Sequence, residues 1–208
     1  MRPYYEQDGI TIYHGDCREV LPHLLFDAVL SDPPYGVLSQ TGSAATRRSG
    51  GNKDSGVMAW DIAPEGKLLE RVASSGPVML WGGCHLSLPP TYGYLVWDKQ
   101  IDGLNFGEVE FCWTNLHFAP RIFRHRAVCV DGGKVHPTQK PVALMRWCIS
   151  FLPKPVGVVV DPFMGSGSTL VAAKNEGHRA IGIEVEERYC EIASQRLSQG
   201  VLDLRGGV

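Results

Sequence analysis

No stretch of this chain holds the roughly 20 consecutive apolar residues that a membrane-spanning helix needs. A membrane partner is therefore not expected. The start, Met1-Arg2-Pro3-Tyr4-Tyr5, lacks the apolar run of a signal peptide. Cysteines stand at 17, 84, 112, 129, 148 and 190 with no C-x-x-C pair, so neither a zinc knuckle nor a disulfide framework is suggested. A reducing cytoplasm suits such cysteines best. His117, His125 and Cys129 share one segment but have no second cysteine pair beside them, and no metal is expected. Internal repeats and low-complexity tracts are also missing. So is any excess of positive charge, the net charge being −2.

What is present is the composition of an ordinary globular protein, with 44% apolar and 20% charged residues. At 208 residues the chain suits one compact domain, 1–208, with a substantial core. The charge is unevenly spread, and distribution matters more than the sum. Residues 114–140 carry Arg121, Arg124, Arg126, Lys134 and Lys140 against Asp131. Residues 40–58 carry Arg47, Arg48 and Lys53 against Asp54. Either segment alone reads equally well as a solvated loop.

Short β-rich runs alternate with helical patterns, which argues for an α/β sheet. Strands are predicted at Gly9–His14, Asp27–Ser31, Pro77–Trp81, Tyr92–Trp97, Glu108–Thr114, Gly157–Val160 and Arg179–Glu184. Helices are predicted at Cys17–Leu25, Pro64–Ser74, Pro141–Phe151, Ser168–Glu176 and Glu186–Gln199. The segment 36–57 is Gly/Ser-rich without apolar period and is expected to be a mobile loop.

Two constellations carry chemistry. In Ser31-Asp32-Pro33-Pro34-Tyr35-Gly36, an apolar strand runs into two prolines, which end the ladder and stiffen the turn. Such a turn holds a carboxylate and a proline carbonyl as fixed acceptors, the pair that an amino group with two N–H donors requires. Tyr35 adds a flat face on which a base can stack. A bare Asp-Pro-Pro would read as a strand-ending turn; the tyrosine and glycine favour a site. In the second, a valine-rich strand feeds Asp161-Pro162-Phe163-Met164-Gly165-Ser166-Gly167-Ser168-Thr169, which opens a helix. A second strand then ends on Glu184, where an acid can bind ribose hydroxyls. This is a nucleoside-binding half-fold. The dinucleotide spacing G-x-G-x-x-G fails at Leu170, and no G-K-[ST] follows, so a phosphate cradle is not expected.

Together these segments resemble the β-class amino-methylating DNA methyltransferases, in which a D-P-P-Y motif precedes an F-x-G-x-G motif. Gly15-Asp16-Cys17 with Leu21 and Leu24, and His136-Pro137-Thr138-Gln139-Lys140-Pro141, match two further elements of that family. The resemblance spans roughly residues 9–197 and is specific in combination and order. It implies a Rossmann-like methyltransferase fold: a mainly parallel seven-stranded sheet with helices on both faces and permuted motif order. It implies S-adenosylmethionine as cofactor and double-stranded DNA as partner. It implies catalysis by Asp32, Pro33, Pro34 and Tyr35. The cofactor would lie against Asp161, Phe163, Gly165, Ser166 and Gly167, with its ribose on Glu184 and its adenine near Asp16 and Cys17. Thr138, Lys140, Ser168 and Thr169 would serve its methionine end. Lys140 has a rival reading as a solvent-exposed lysine at a helix start.

The product implied is N6-methyladenine in DNA, because D-P-P-Y usually accompanies adenine and S-P-P-Y cytosine; cytosine N4 is the alternative. A nucleotide-dependent oxidoreductase and a degenerate, DNA-binding methyltransferase are the competing classes. DNA contacts are expected from Arg47, Arg48 and Lys53 in the loop 36–57. Others are expected from Arg121, Arg124, Arg126 and Lys134 in the short recognition insert 114–135. The family often forms homodimers, but nothing in this sequence identifies an interface.

Overall fold

The computed structural model describes residues 1–35, 64, 66–101, 107–126 and 139–199. Among them, nine strands form one sheet. These are β1 (Tyr5–Gln7), β2 (Ile10–His14), β3 (Ala28–Ser31), β4 (Val78–Trp81), β5 (Gly93–Asp98), β6 (Val109–Thr114), β7 (Arg121–Arg124), β8 (Val158–Asp161) and β9 (Arg179–Glu184). The spatial order is β1-β2-β9-β8-β3-β4-β6-β5-β7. Strands β2, β9, β8, β3 and β4 are parallel, while β6 is antiparallel to both β4 and β5.

The helices are α1 (Cys17–Val20), α2 (Gly66–Ala73), α3 (Val142–Ile149), α4 (Ser168–Asn175) and α5 (Glu187–Ser198). Helix α1 is shorter than its apolar pattern predicts. The chain tightens into a 3-10 turn over Leu21–His23, because Pro22 has no N–H to continue the α ladder.

The sheet has two strands more than the seven expected, and both lie at its edges. β1 joins β2 through Asp8-Gly9, both at positive φ, the backbone that a tight Asp-Gly hairpin requires. β7 pairs with β5 alone and is mostly exposed, so it lacks the alternation that marks a half-buried strand. The 36–57 loop lies outside the described residues.

Two apolar layers sandwich the sheet. Leu30, Met79 and Val159 face Leu144, Met145 and Cys148 of α3, Leu170 and Ala173 of α4, and Ala193 of α5. Val29, Val78, Leu80 and Val160 face Cys17 and Val20 of α1 and Leu69 and Val72 of α2. Adjacent residues on one strand thus serve opposite layers, as the two-residue period of a strand dictates.

This topology positions a site. From β8 the chain crosses by α4 to β9 on one side; from β3 it proceeds by α2 to β4 on the other. Between β3 and β8 the connections therefore diverge, leaving a crevice beyond their carboxyl ends. Gly182, in the middle of β9, lets that edge close. A Cβ there would overlap Met164 Sδ and come within 2.8 Å of Leu170 Cδ2. Gly182→Val should therefore cost about 1–3 kcal/mol by overpacking, measured as a lower urea midpoint with an unchanged slope.

Candidate active site

Strand β3 delivers Asp32-Pro33-Pro34-Tyr35 to the carboxyl edge of the sheet. The Asp32 carboxylate is engaged at both oxygens. Oδ1 accepts from the Tyr35 hydroxyl, and Oδ2 accepts from Lys140 Nζ at 2.5 Å. Tyr35 stacks against His85, ring centroids 5.3 Å apart. Its ring lies directly on Gly82, whose φ is +69° and where any Cβ would overlap it. The Trp81-Gly82-Gly83 turn after β4 thus forms the seat of this tyrosine.

Strand β8 delivers the glycine turn. Ser31 Oγ donates to Asp161 Oδ1 at 2.5 Å, and Phe163 N donates to the same oxygen at 3.1 Å. A buried hydrogen bond therefore ties the first residue of one motif to the first of the other. Gly167 caps α4 at φ +78° with no side-chain hydrogen bond to the helix. The first-turn N–H groups have no partner within their own helix, and Ser168 and Thr169 of that turn line the cleft. Gly165, at φ +51°, has nothing within 4 Å of where a Cβ would stand. From β9, Glu184 Oε2 accepts from Gly165 N at 2.9 Å and Oε1 from Glu186 N at 2.8 Å. Each oxygen retains a lone pair for a further donor. From α5, Arg196 Nη1 donates to Ser166 O at 2.5 Å and reaches the hydroxyls of Ser166 and Ser168.

The two turns meet. One cleft, enclosing about 50 Å³, is lined by Asp32, Lys140, Asp161, Phe163, Gly165, Ser166, Ser168 and Thr169, with Gln139, Met145 and Met164. Burial shapes its electrostatics. It raises the Asp32 carboxyl above the ordinary range, while the Lys140 ammonium opposes the rise. Burial also raises Glu184, restrained by the N–H groups of Glu186 and Gly165. It pushes Asp161 up to about 6 against hydrogen bonds from Ser31 and the Phe163 N–H.

Some expected residues sit elsewhere. Lys140 is 5% exposed, not solvated. Its ammonium pairs with Asp32 and, at 3.0 Å, with Glu110 Oε2, and it lines the cleft together with Ser168 and Thr169. The Cys17 side chain packs in the core beneath α1. Asp16 lies outside the cleft lining; it caps α1 through Arg18 N at 2.8 Å and pairs with the Arg18 guanidinium. Its turn nonetheless adjoins Glu184, since Gly15 N donates to Glu184 O at 2.9 Å. Arg121, Arg124 and Arg126 are exposed on or just after β7, away from the cleft, and Arg124 faces Asp98 at 3.5 Å. Thr138, Arg47, Arg48, Lys53 and Lys134 lie outside the described residues.

Four contributors went unread in the sequence: Glu110, Lys99, Gly82 and Arg196. The signal for Glu110 was its register. It stands two residues before Cys112 on β6 and so points to the core side of the sheet, where an acid requires a partner.

A doubly wound sheet whose switch point holds a glycine turn beside a paired carboxylate can hold a nucleoside cofactor next to a polar substrate group. A family model described as DNA methylase matches residues 95–195. Type II methyltransferase M.HinfI of Haemophilus influenzae is 28% identical over 91% of this chain and 68% of its own length. Among solved structures, the M1.HpyAVI–SAM complex superposes with a TM-score of 0.60, at 23% identity over 91% of this chain and 99% of that one. The PvuII DNA methyltransferase, described as cytosine-N4-specific, superposes at 0.64, at 16% identity over 96% and 90%. Residues 95–195 thus match the DNA methylase family, and nine-tenths of the chain is similar to a type II methyltransferase.

Two predictions arise from the glycine turn. Arg196→Ala should weaken S-adenosylmethionine binding about 10-fold, read by isothermal titration, through loss of charge-assisted bonds to the turn. Asp161→Asn keeps an oxygen for Ser31 and Phe163 but carries no charge. Because the wild-type carboxyl titrates at about 6 when folded and 3.8 when not, its ionisation lowers stability as pH rises between these values. The variant should therefore exceed wild type by up to roughly 3 kcal/mol at neutral pH, with the gap closing near pH 4, in urea titrations at both pH values.

Proposed function

We propose that this chain transfers a methyl group to N6 of an adenine swung out of duplex DNA, and that residues 1–208 act as one catalytic domain. The methyl donor is S-adenosylmethionine. The observation carrying the reading is that the Asp32 carboxylate and the glycine turn line one cleft. The donor set fits the cofactor: a carboxylate on Glu184 for ribose hydroxyls, an open surface above Gly165, free N–H groups opening α4, and half-buried Phe163 for an apolar contact.

When bound, the cofactor supplies a methyl on a sulfonium and departs as a neutral thioether. The remaining work falls to the chain. A base within the duplex stack cannot reach the cleft, and leaving the stack costs a few kcal/mol. Tyr35 offers the flat face that offsets part of this cost. Its hydroxyl now occupies Asp32 Oδ1, the position an incoming amino group takes. Base entry thus exchanges one donor for another, and the carboxylate is never left bare. With one N–H on Asp32 and the other on the Pro33 carbonyl, the nitrogen lone pair turns out of ring conjugation toward the methyl. Methyl transfer would exchange the donor's S–C bond for the new N–C bond. The surplus proton on nitrogen leaves through Asp32, which also stabilises the transient positive charge.

Adenine is favoured because Asp occupies the first motif position. The fold does not decide the matter, as the cytosine-N4-specific PvuII enzyme shares it. Exposed Arg121, Arg124 and Arg126 are suited to phosphates or guanine edges.

Two measurements test this reading. Duplex DNA treated with enzyme and donor, digested to nucleosides and weighed by mass spectrometry, should yield N6-methyladenine; N4-methylcytosine in its place would reverse the base assignment. Asp32→Ala should lose methylation by at least about 1,000-fold while binding cofactor normally, and Tyr35→Phe should retain activity within about 10-fold because stacking survives. Full activity in Asp32→Ala removes Asp32 from the mechanism.

A further inference from the structure

We propose that Lys140 is a positioning residue for methyl transfer, held on Asp32 by a chain of alternating charge that continues through Glu110 to Lys99. The inference rests on Asp32 being the carboxylate that receives the amino group.

The geometry is specific. Lys140 Nζ lies 2.5 Å from Asp32 Oδ2 and 3.0 Å from Glu110 Oε2. Glu110 Oε1 lies 2.7 Å from Lys99 Nζ. The four residues come from four places: the turn after β3, the segment entering α3, strand β6 and the residue after β5. Lysine side chains are almost never this buried unless paired. Two separate acids fix this one between them.

A buried carboxylate without a counter-charge takes up a proton instead of staying ionised. Protonated Asp32 would turn from pure acceptor into donor and compete with the amino group it must receive. Several groups face Asp32: the Tyr35 hydroxyl from its own turn, Lys140 from before α3, Glu110 and the Cys112 thiol from β6, and Asp161 from β8. Among the described residues Lys140 is the cation of this group, and the other charged neighbours of Asp32 are acids. Glu110 acts in the opposite sense: by sharing the ammonium, and by its own charge, it keeps Asp32 a stronger acceptor. Burial alone would raise Glu110, but Lys140 and Lys99 hold it below the ordinary range, so it stays ionised.

The two variants therefore move the acidic limb of the pH–rate profile in opposite directions. With Lys140→Met, Asp32 loses its counter-charge and the limb moves up. The rate should fall about 100-fold at neutral pH and recover at least about 10-fold by pH 9, with the cofactor Kd within about 3-fold of wild type. Lys140→Arg, which keeps the charge, should restore the wild-type limb. With Glu110→Gln, the limb should move down, a signed result available even if Lys140→Met does not fold. The experiment is single-turnover methylation of duplex DNA by the full chain, with cofactor titration at each pH and Asp32→Asn alongside. An unmoved limb in both Lys140→Met and Glu110→Gln overturns the inference. So does a Lys140→Met defect lying wholly in cofactor Kd, which would return the lysine to the cofactor's carboxylate. Should Asp32→Asn methylate at the wild-type rate, the catalytic reading itself falls; if it is inactive while the limbs stay fixed, only the lysine's role is withdrawn.

Discussion

Everything about this site depends on how two neighbouring parallel strands are kept in register at their carboxyl ends. β3 and β8 share ladder bonds up to Val29 and Val160, and beyond them the backbones part to form separate turns. The Ser31-to-Asp161 hydrogen bond spans the gap where the ladder stops. It replaces a backbone bond with one between side chains and leaves both turns free to serve ligands. Asp161 accepts from the backbone of its own turn as well, so the same oxygen sets the glycine turn's shape and its distance from Asp32. Burying that carboxylate disfavours the folded state at neutral pH, a local cost offset by the apolar layers on both faces of the sheet.

The cleft's second property is charge balance at short range. Asp32, Lys140, Glu110 and Lys99 alternate in sign, so the net field of the four is small a few ångströms away. Within the group each charge is strongly constrained. Such an arrangement adds little to stability, since desolvation consumes most of the Coulomb gain. What it supplies is direction: both Asp32 oxygens accept from fixed donors, and each Glu110 oxygen lies within 3.0 Å of an ammonium.

How much of this could be read from the sequence follows a physical line. The seven expected strands and every expected helix but the first came through to within a residue or two, because burial on two faces writes itself into runs such as Val158-Val159-Val160. The two ligand-facing turns came through because proline and glycine restrict backbone locally. What failed to show was whatever depends on contact between distant segments. Lys140 in isolation looks like a helix-start lysine; only the fold, bringing β6 and the β3 turn around it, reveals two acids as its partners. Arg196 likewise lies on a helix face that a sequence pattern assigns to solvent. β7 was invisible for the converse reason, being paired on one side and exposed on the rest, and so without periodicity.

The edge position of β7 sets a length scale. It stands five strand positions from β8, about 24 Å at the usual strand spacing. A duplex lying along the carboxyl edge, with one nucleotide in the cleft and its backbone against Arg124 and Arg126, would be spanned over about seven base pairs at 3.4 Å per step. For a duplex held as proposed, the sheet's own width would act as a ruler for the footprint.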